Sequence, residues 1–185
     1  QGSEIGDDAA YGIIEIPDGG FVSTGFKDTG IDYKYDGWVM KIDHTGDKVW
    51  EATYGGSKDD CMYDLCLTQD NNYMLAGYTE SYGLFERGSH RNLWILKVDE
   101  NGVDLIDRTY GASYWDQASS ICKTSDGGYA IAGYTKDKGV VNHDFLVLKI
   151  DQKANLLWQK VYGESYWDEA SGIIETTDKS LALSG

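Results

Sequence analysis

One short phrase occurs three times in this chain, and its repetition constrains the fold more than any other feature. The copies are YGGSKDD at 54–60, YGASYWD at 110–116 and YGESYWD at 162–168. The aspartates that close them, with Asp8 as an earlier copy, are separated by 52, 56 and 52 residues. The same separations relate four glycines, which are Gly25, Gly77, Gly133 and Gly185. Independent markers at one spacing indicate a structural repeat of about 50 residues.

Each repeat contains four apolar segments of strand length. In the third copy these segments are 116–124, 129–135, 144–151 and 156–163. The Asp-Gly-Gly sequence between the first two supplies the positive φ angles that a tight hairpin needs. Between the last two, the third copy has Ala154-Asn155 instead of a glycine, and we expect Asn155 to tolerate the left-handed conformation. No segment shows a helical period with capping residues.

Four antiparallel strands at this period predict an all-β fold, a β-propeller of four-stranded antiparallel blades. We name the strands of a blade a to d in chain order. Small residues at matching positions predict that strand a lies innermost, and a β-sandwich or a solenoid explains the register less well. Strand c carries a lysine at one fixed position, which we expect to reach an edge or a carboxylate. The predicted blades are 8–55, 60–111 and 116–163, followed by a half blade at 168–185.

Charge and cysteine usage exclude several classes of function. The formal net charge of −15 disfavours nucleic acid as a partner, because an acidic surface repels phosphate backbones. No apolar run is long enough for a membrane span. The cysteines have no zinc-ligand spacing, and we expect all three thiols to be free. Since Cys61 and Cys66 lie five residues apart in one strand, we expect them to point to opposite faces.

The repeat resembles a known family. The segments TYGGSKDDCMYDLCLTQDNNYMLAGYT at 53–79 and VYGESYWDEASGIIETTDKSLALSG at 161–185 are similar to the seven-bladed β-propeller repeat family of bacteria and archaea. The resemblance covers essentially the whole chain. It implies the propeller fold and an extracellular or cell-surface location, whereas its motifs say little about function. The Tyr-Trp pairs in two linkers and the cysteines within strands depart from the family pattern.

The number of repeats predicts an incomplete ring. About four to eight blades form a propeller, so three and a half blades cannot close one. We therefore expect this sequence to be a segment of a larger propeller. Self-association through the open blade ends is the alternative, because an open blade face exposes apolar side chains.

Candidate binding residues follow from the geometry of a blade. The b–c loops and the d–a linkers emerge on one face, and the recurring phrase is such a linker. Its Asp is expected to bond nearby amides, while the positions before it vary. The one insertion, of four residues, lies in the b–c loop at 79–92. The predicted ligand-binding residues are Tyr82, Phe85, Tyr114, Trp115, Tyr166 and Trp167.

Several functions are compatible with these residues. Aromatic planes beside carboxylates suit a protein or a glycan partner, although the rings could instead fill the gap between adjacent blades. The recurring aspartates could hold Ca²⁺, but capping explains them more simply, so we predict no metal and no cofactor. The histidines occupy non-equivalent positions and reveal no nucleophile–base pair. We therefore predict a non-catalytic binding scaffold. A carbohydrate-binding segment, or a segment of a quinone-dependent type of propeller enzyme, is the alternative.

Overall fold

The computed structural model describes residues 6–31, 34–83, 91–111, 114–136, 142–164 and 166–185. No helix occurs in these ranges, and none of them therefore offers a helix able to span a membrane. The strands are β1 (Ala9–Glu15), β2 (Phe21–Asp28), β3 (Tyr35–Ile42), β4 (Lys48–Tyr54), β5 (Asp60–Leu67), β6 (Tyr73–Thr79), β7 (Asn92–Val98), β8 (Asp104–Tyr110), β9 (Trp115–Lys123), β10 (Tyr129–Lys136), β11 (Asp144–Ile150), β12 (Leu156–Tyr162), β13 (Gly172–Glu175) and β14 (Leu181–Ser184).

These strands form three four-stranded sheets and one two-stranded sheet. The orders are β1-β2-β3-β4, β5-β6-β7-β8 and β9-β10-β11-β12, with β13-β14 as the small sheet. Every pairing is antiparallel between chain neighbours. The predicted fold class is confirmed: the chain has three propeller blades and part of a fourth, and the sheets do not close into a ring.

Strand a of each blade lies innermost. Contacts between sheets run from β1 to β5, from β5 to β9 and from β9 to β13. A side chain at Gly12 would lie 3.0 Å from Leu65 Cδ2 and 3.1 Å from the Asp64 Cα of the next blade. Crowding between neighbouring inner strands therefore explains the small residues of strand a.

A β-bulge recurs in strand a and explains the repeated glycine of strand b. The extra residue is Tyr11 in β1, Tyr63 in β5 and Ser119 in β9. Opposite the bulge, the Cβ of any residue replacing Gly133 would lie 1.9 Å from the Gln117 carbonyl oxygen. The equivalent distance at Gly77 is 2.0 Å. Only glycine allows the backbones to approach this closely.

The same bulge corrects the expectation for the cysteines. Cys61 pairs with Tyr78 and Cys66 pairs with Met74 on the regular strand β6. Tyr78 and Met74 differ by four residues, so both cysteines point to one face of the sheet, not to opposite faces. The extra residue at the bulge, Tyr63, has no partner on β6, so the alternation of side chains between the two faces is shifted by one residue after it. All three cysteines are free, and burial raises the pKa of the Cys61 and Cys66 thiols to about 12.

The hydrophobic core lies between the blades. Every residue of β7 is buried, as expected for a strand covered on both faces. One cluster joins the first two blades and includes Val39, Met62 and Trp94. A second cluster joins the second and third blades and includes Ile95 and Leu148. A smaller third cluster packs the two-stranded sheet against β10 and β11.

The lysines of strand c reach carboxylates, as predicted. Lys41 Nζ lies 3.2 Å from an Asp18 carboxylate oxygen, Lys97 Nζ 2.7 Å from Asp70, and Lys149 Nζ 2.9 Å from Asp126. Each aspartate belongs to the a–b turn of the same blade, and each lysine side chain is at most 14% exposed. The repeated pair therefore ties the a–b turn to strand c.

The c–d turn of the third blade differs from the expectation. Ala154, not Asn155, has the left-handed backbone, with φ of 57°. It occupies the place of Gly46 and Gly102, whose φ values are 89° and 80°. The backbone amide of Asn155 instead donates to Asp151 Oδ1 at 2.8 Å. Ala154 is 1% exposed, so packing of its methyl group offsets the strain of the turn.

Side-chain hydrogen bonds also join each blade to the next. The Tyr54 hydroxyl donates to the Gly102 carbonyl at 2.6 Å, and the Tyr110 hydroxyl donates to the Ala154 carbonyl. Trp50 Nε1 donates to the Glu100 carbonyl at 2.8 Å. In each case strand d of one blade bonds the c–d turn of its neighbour.

Candidate functional site

The linkers and the b–c loops lie side by side on one end of the blades. The Lys58 amide donates to Ser81 Oγ at 3.0 Å, which joins the first linker to the following b–c loop. The Tyr114 amide donates to the Lys136 carbonyl at 2.9 Å in the same way. We call this end the linker face; it comprises the described residues of 54–60, 110–116 and 162–168 with the adjoining described loop residues.

The recurring aspartates of the linkers cap backbone amides, as predicted. Asp60 Oδ2 accepts from the Gly56 amide at 2.9 Å, and Asp168 Oδ2 accepts from the Glu164 amide at 3.2 Å. No group of three or more His, Cys, Asp or Glu side chains in the described ranges is arranged to hold a metal ion. These aspartates therefore fix the path of the linker.

Four equivalent positions meet where two blades adjoin on the linker face. They are an aromatic residue of strand b, the residue just before strand c or at its start, and the residues on either side of the linker aspartate. We call each set a junction. The first junction has Phe26, Tyr35, Asp59 and Cys61; the second has Tyr78, Arg91, Trp115 and Gln117; the third has Tyr134, His143, Trp167 and Glu169.

At the second junction an arginine fills the space between two rings. Arg91 Cζ lies 3.6 Å from the centroid of Tyr78 and 5.0 Å from that of Trp115. Its Nη1 donates to Gln117 Oε1 at 2.9 Å, and its Nη2 donates to Glu80 Oε1 at 3.1 Å. Burial raises the pKa of the Tyr78 hydroxyl, so this ring stays neutral. Cation–π contacts and charge-assisted hydrogen bonds thus hold the junction closed.

At the third junction a histidine takes the place of the arginine. His143 is 4% exposed and its ring stacks on Tyr134 at 4.4 Å and 1°. The Trp167 ring lies 4.4 Å away on a tilt of 33°. His143 Nδ1 is 2.5 Å from Glu169 Oε1. Because an ionised carboxylate only accepts, Nδ1 is the donor of this pair, and the neutral tautomer that fits it presents a lone pair at Nε2.

Two buried ring nitrogens in these junctions lack a partner. Trp115 Nε1 and His143 Nε2 are both shielded from solvent and make no hydrogen bond within the described structure. The two rings lie 6.4 Å apart. An unpaired buried polar atom costs about 1–3 kcal/mol, so each such atom calls for an explanation.

The aromatic residues of the third linker are exposed. Tyr166 is 82% exposed and Trp167 is 60% exposed. No strand includes either residue, because β13 begins only at Gly172, whereas β9 begins at Trp115. Beside them is an open cavity of about 580 Å³, lined by Phe145, Val161, Tyr162, Gly163, Glu164, Tyr166 and Asp168.

The predicted ligand-binding residues occupy different environments. Tyr114 stacks on Trp115 at 6.3 Å and 4°, inside the second junction. Tyr166 and Trp167 form the exposed surface of the third. Tyr82 lies at the first linker, where its hydroxyl donates to the Gly55 carbonyl. Phe85 lies outside the described residues.

Sequence reasoning missed the polar members of the junctions. Arg91 and His143 occupy equivalent positions, as do Gln117 and Glu169. The sequence did contain a signal for them. Both pairs lie next to fixed positions of the repeat, yet the charge of the side chain differs between copies.

The fold and the junctions define a β-propeller, and comparison with known proteins agrees at the level of the fold. No family model matches the chain, and no curated protein matches it. Among solved structures it is similar to Sqt1 from Chaetomium thermophilum, with a TM-score of 0.55 and 12% sequence identity. The match covers 96% of this chain and 41% of that one. A likeness at this identity shows the fold alone, and the bacterial and archaeal seven-bladed family remains a prediction.

Proposed function

We propose that the chain is a non-catalytic propeller scaffold whose linker face binds a protein or a glycan. The observation that carries this proposal is the exposure of Tyr166 and Trp167 on blades whose geometry is otherwise fixed. Large aromatic side chains provide much of the binding energy in recognition surfaces, and loops placed by a rigid scaffold commonly provide the site.

The setting that we propose is a larger extracellular or cell-surface protein. Support comes from the resemblance of the repeat and from the outer strand of the third blade. Leu157, Val161 and Tyr162 on β12 are about half exposed, at 56%, 49% and 54%. Further blades of the same protein would cover such a surface, with self-association as the alternative.

The absence of catalysis is part of the proposal. His143 is the histidine of the linker face with a carboxylate partner, an arrangement that can activate a nucleophile. Its Nε2, however, has no hydrogen-bond partner within the described structure. No observation favours the quinone-dependent alternative over a binding role.

A matched pair of variants tests the proposed binding face. The double variant Tyr166→Ser/Trp167→Ser removes the exposed rings, and Val103→Ser removes a side chain that is 56% exposed at a c–d turn, at the other end of the blades. Both are applied to a glycan array and to an array of extracellular proteins, with thermal unfolding measured in parallel. We expect the double variant to lose the binding that the control retains. Equal binding by both variants contradicts the proposed face.

A further inference from the structure

The two unpartnered nitrogens of the linker face have opposite hydrogen-bonding character. The indole Nε1 of Trp115 can only donate, whereas Nε2 of His143 is the acceptor in the neutral tautomer whose Nδ1 donates to Glu169. Their rings are neighbours, with centroids 6.4 Å apart. A ligand that satisfies both must therefore offer one acceptor and one donor within a small region.

A hydroxyl group meets this requirement, since it donates one hydrogen bond and accepts others. An anionic group would leave Nε2 without a donor and would approach Glu80, Glu169 and a chain of net charge −15. An ammonium group would leave the Trp115 N–H without an acceptor. A cation, moreover, already occupies the faces of Tyr78 and Trp115, in the form of Arg91.

The exposed rings beside this pair favour a sugar over an isolated hydroxyl. Trp167 covers His143 with one face of its indole, and the residue is 60% exposed. A flat apolar surface next to hydrogen-bonding groups matches a pyranose, which has an apolar C–H face and a rim of hydroxyls. Trp167 also lies outside the strands, so its ring can turn outward without breaking a strand pairing.

We propose that the third junction binds a neutral carbohydrate. The sugar ring packs against Trp167, and one hydroxyl accepts from Trp115 Nε1 and donates to His143 Nε2. This inference rests on the proposed function of the linker face and names the ligand class for it.

The test uses aromatic variants that remove the hydrogen-bonding nitrogens. His143→Phe deletes Nε2 together with the Nδ1 that pairs with Glu169, and Trp115→Phe deletes Nε1 and shortens the ring system. Tyr35→Phe changes the equivalent position of the first junction and serves as the control. The probes are an array of neutral glycans with sialylated and sulfated arms, followed by titration of tryptophan fluorescence with the neutral glycans that bind. We expect saturable binding of neutral glycans, weakened at least tenfold by His143→Phe and unchanged by Tyr35→Phe.

Other outcomes overturn the inference without ambiguity. Absence of binding to any neutral glycan, preference for the anionic arms, or equal binding by His143→Phe each contradicts it. If Trp115→Phe lowers the melting temperature, His143→Phe alone decides the question. Should the Tyr166→Ser/Trp167→Ser variant lose a protein partner while no glycan binds, the carbohydrate inference fails and the proposed function stands.

Discussion

The second and third junctions share the linker sequence Tyr-Trp-Asp but give its tryptophan opposite environments. Trp115 is half-buried beneath Arg91 and begins a strand, whereas Trp167 is exposed and precedes one by several residues. The residue at or before strand c also differs between the two junctions. Arg91 reaches Glu80 and closes its junction, while His143 pairs with Glu169 and lies against Trp167.

This comparison shows that the recurring phrase specifies where a linker runs, and not what its side chains do. The aspartate accepts hydrogen bonds from linker amides and from hydroxyl groups at the end of strand b, such as those of Thr79 and Thr135. The tryptophan acts through neighbours that come from other segments of the chain. Copies of one sequence thus place a tryptophan against an arginine at one junction and leave it exposed at the next.

The largest expected effect concerns the backbone that supports the second junction. Gly133→Ala would place a methyl group 1.9 Å from the Gln117 carbonyl oxygen, so the strands must separate. We expect a loss of about 3–4 kcal/mol in the free energy of unfolding, measured with denaturant. The control is Gly46→Ala, which has positive φ but no nearby atom and is expected to lose about 1–2 kcal/mol. A smaller loss for Gly133→Ala than for Gly46→Ala contradicts the close-approach explanation.

The two tryptophans provide the next contrast. Trp115→Ala removes a ring packed against Arg91 and is expected to cost about 3 kcal/mol of unfolding free energy. Trp167→Ala removes an exposed ring and is expected to cost less than about 1 kcal/mol. Both losses in unfolding free energy are measured by denaturant unfolding under the same conditions. Similar losses for the two variants would show that the junctions are equivalent after all.

Replacement of Arg91, the cation between the rings of the second junction, should have a moderate effect on stability. Arg91→Lys keeps the charge but loses the planar group that bonds Glu80 and Gln117 together. We expect a cost of about 1–2 kcal/mol by chemical denaturation. His143→Phe, at the equivalent position, keeps its stacking on Tyr134 and is expected to cost less. The reverse order would mean that the His143–Glu169 pair, and not Arg91, dominates its junction.

The smallest expected effect concerns Asp70, the a–b turn carboxylate that pairs with the strand-c lysine of the second blade. Partial burial opposes ionisation of Asp70, but hydrogen bonds from Lys97 and Thr68 outweigh it and lower its pKa to about 2. A lowered folded-state pKa means that the stabilisation is present at neutral pH and is lost as the pH falls from about 4 towards 2. We expect Asp70→Asn to cost less than about 1 kcal/mol at pH 7, because the carboxylate is largely solvated. The cost should vanish near pH 2; a cost that grows with acidity contradicts this assignment.

Much of the fold was predictable because the repeat markers are positions where a change of residue is costly. The strand-b glycines and the lysines of strand c each have a single physical role, so they recur at one spacing. The bulge at Tyr63 is marked only on the facing strand, by Gly77, since the extra residue itself needs no special side chain. The predicted orientation of Cys61 and Cys66 was therefore wrong.

The candidate site was predictable only in part. The linker residues Trp115 and Trp167 were identified because they stand inside a recurring phrase. Arg91 and His143 were not, because they follow the strand-b glycines by different numbers of residues, and this conceals their equivalence. Some of their partners, such as Gln117 and Glu169, come from the next blade, and a single sequence does not show which segments meet there.

The tyrosine hydrogen bonds between blades have a consequence for how the molecule loses structure. The hydroxyl groups of Tyr54 and Tyr110 each bond to the next blade, so cooperativity passes from neighbour to neighbour and not across the whole assembly. The second blade has a complete blade on each side and should exchange its amide protons most slowly. The small sheet has two strands and packs against a single blade, so it should fray first. Hydrogen exchange resolved by segment would record that gradient from β5–β8 outward to β13–β14.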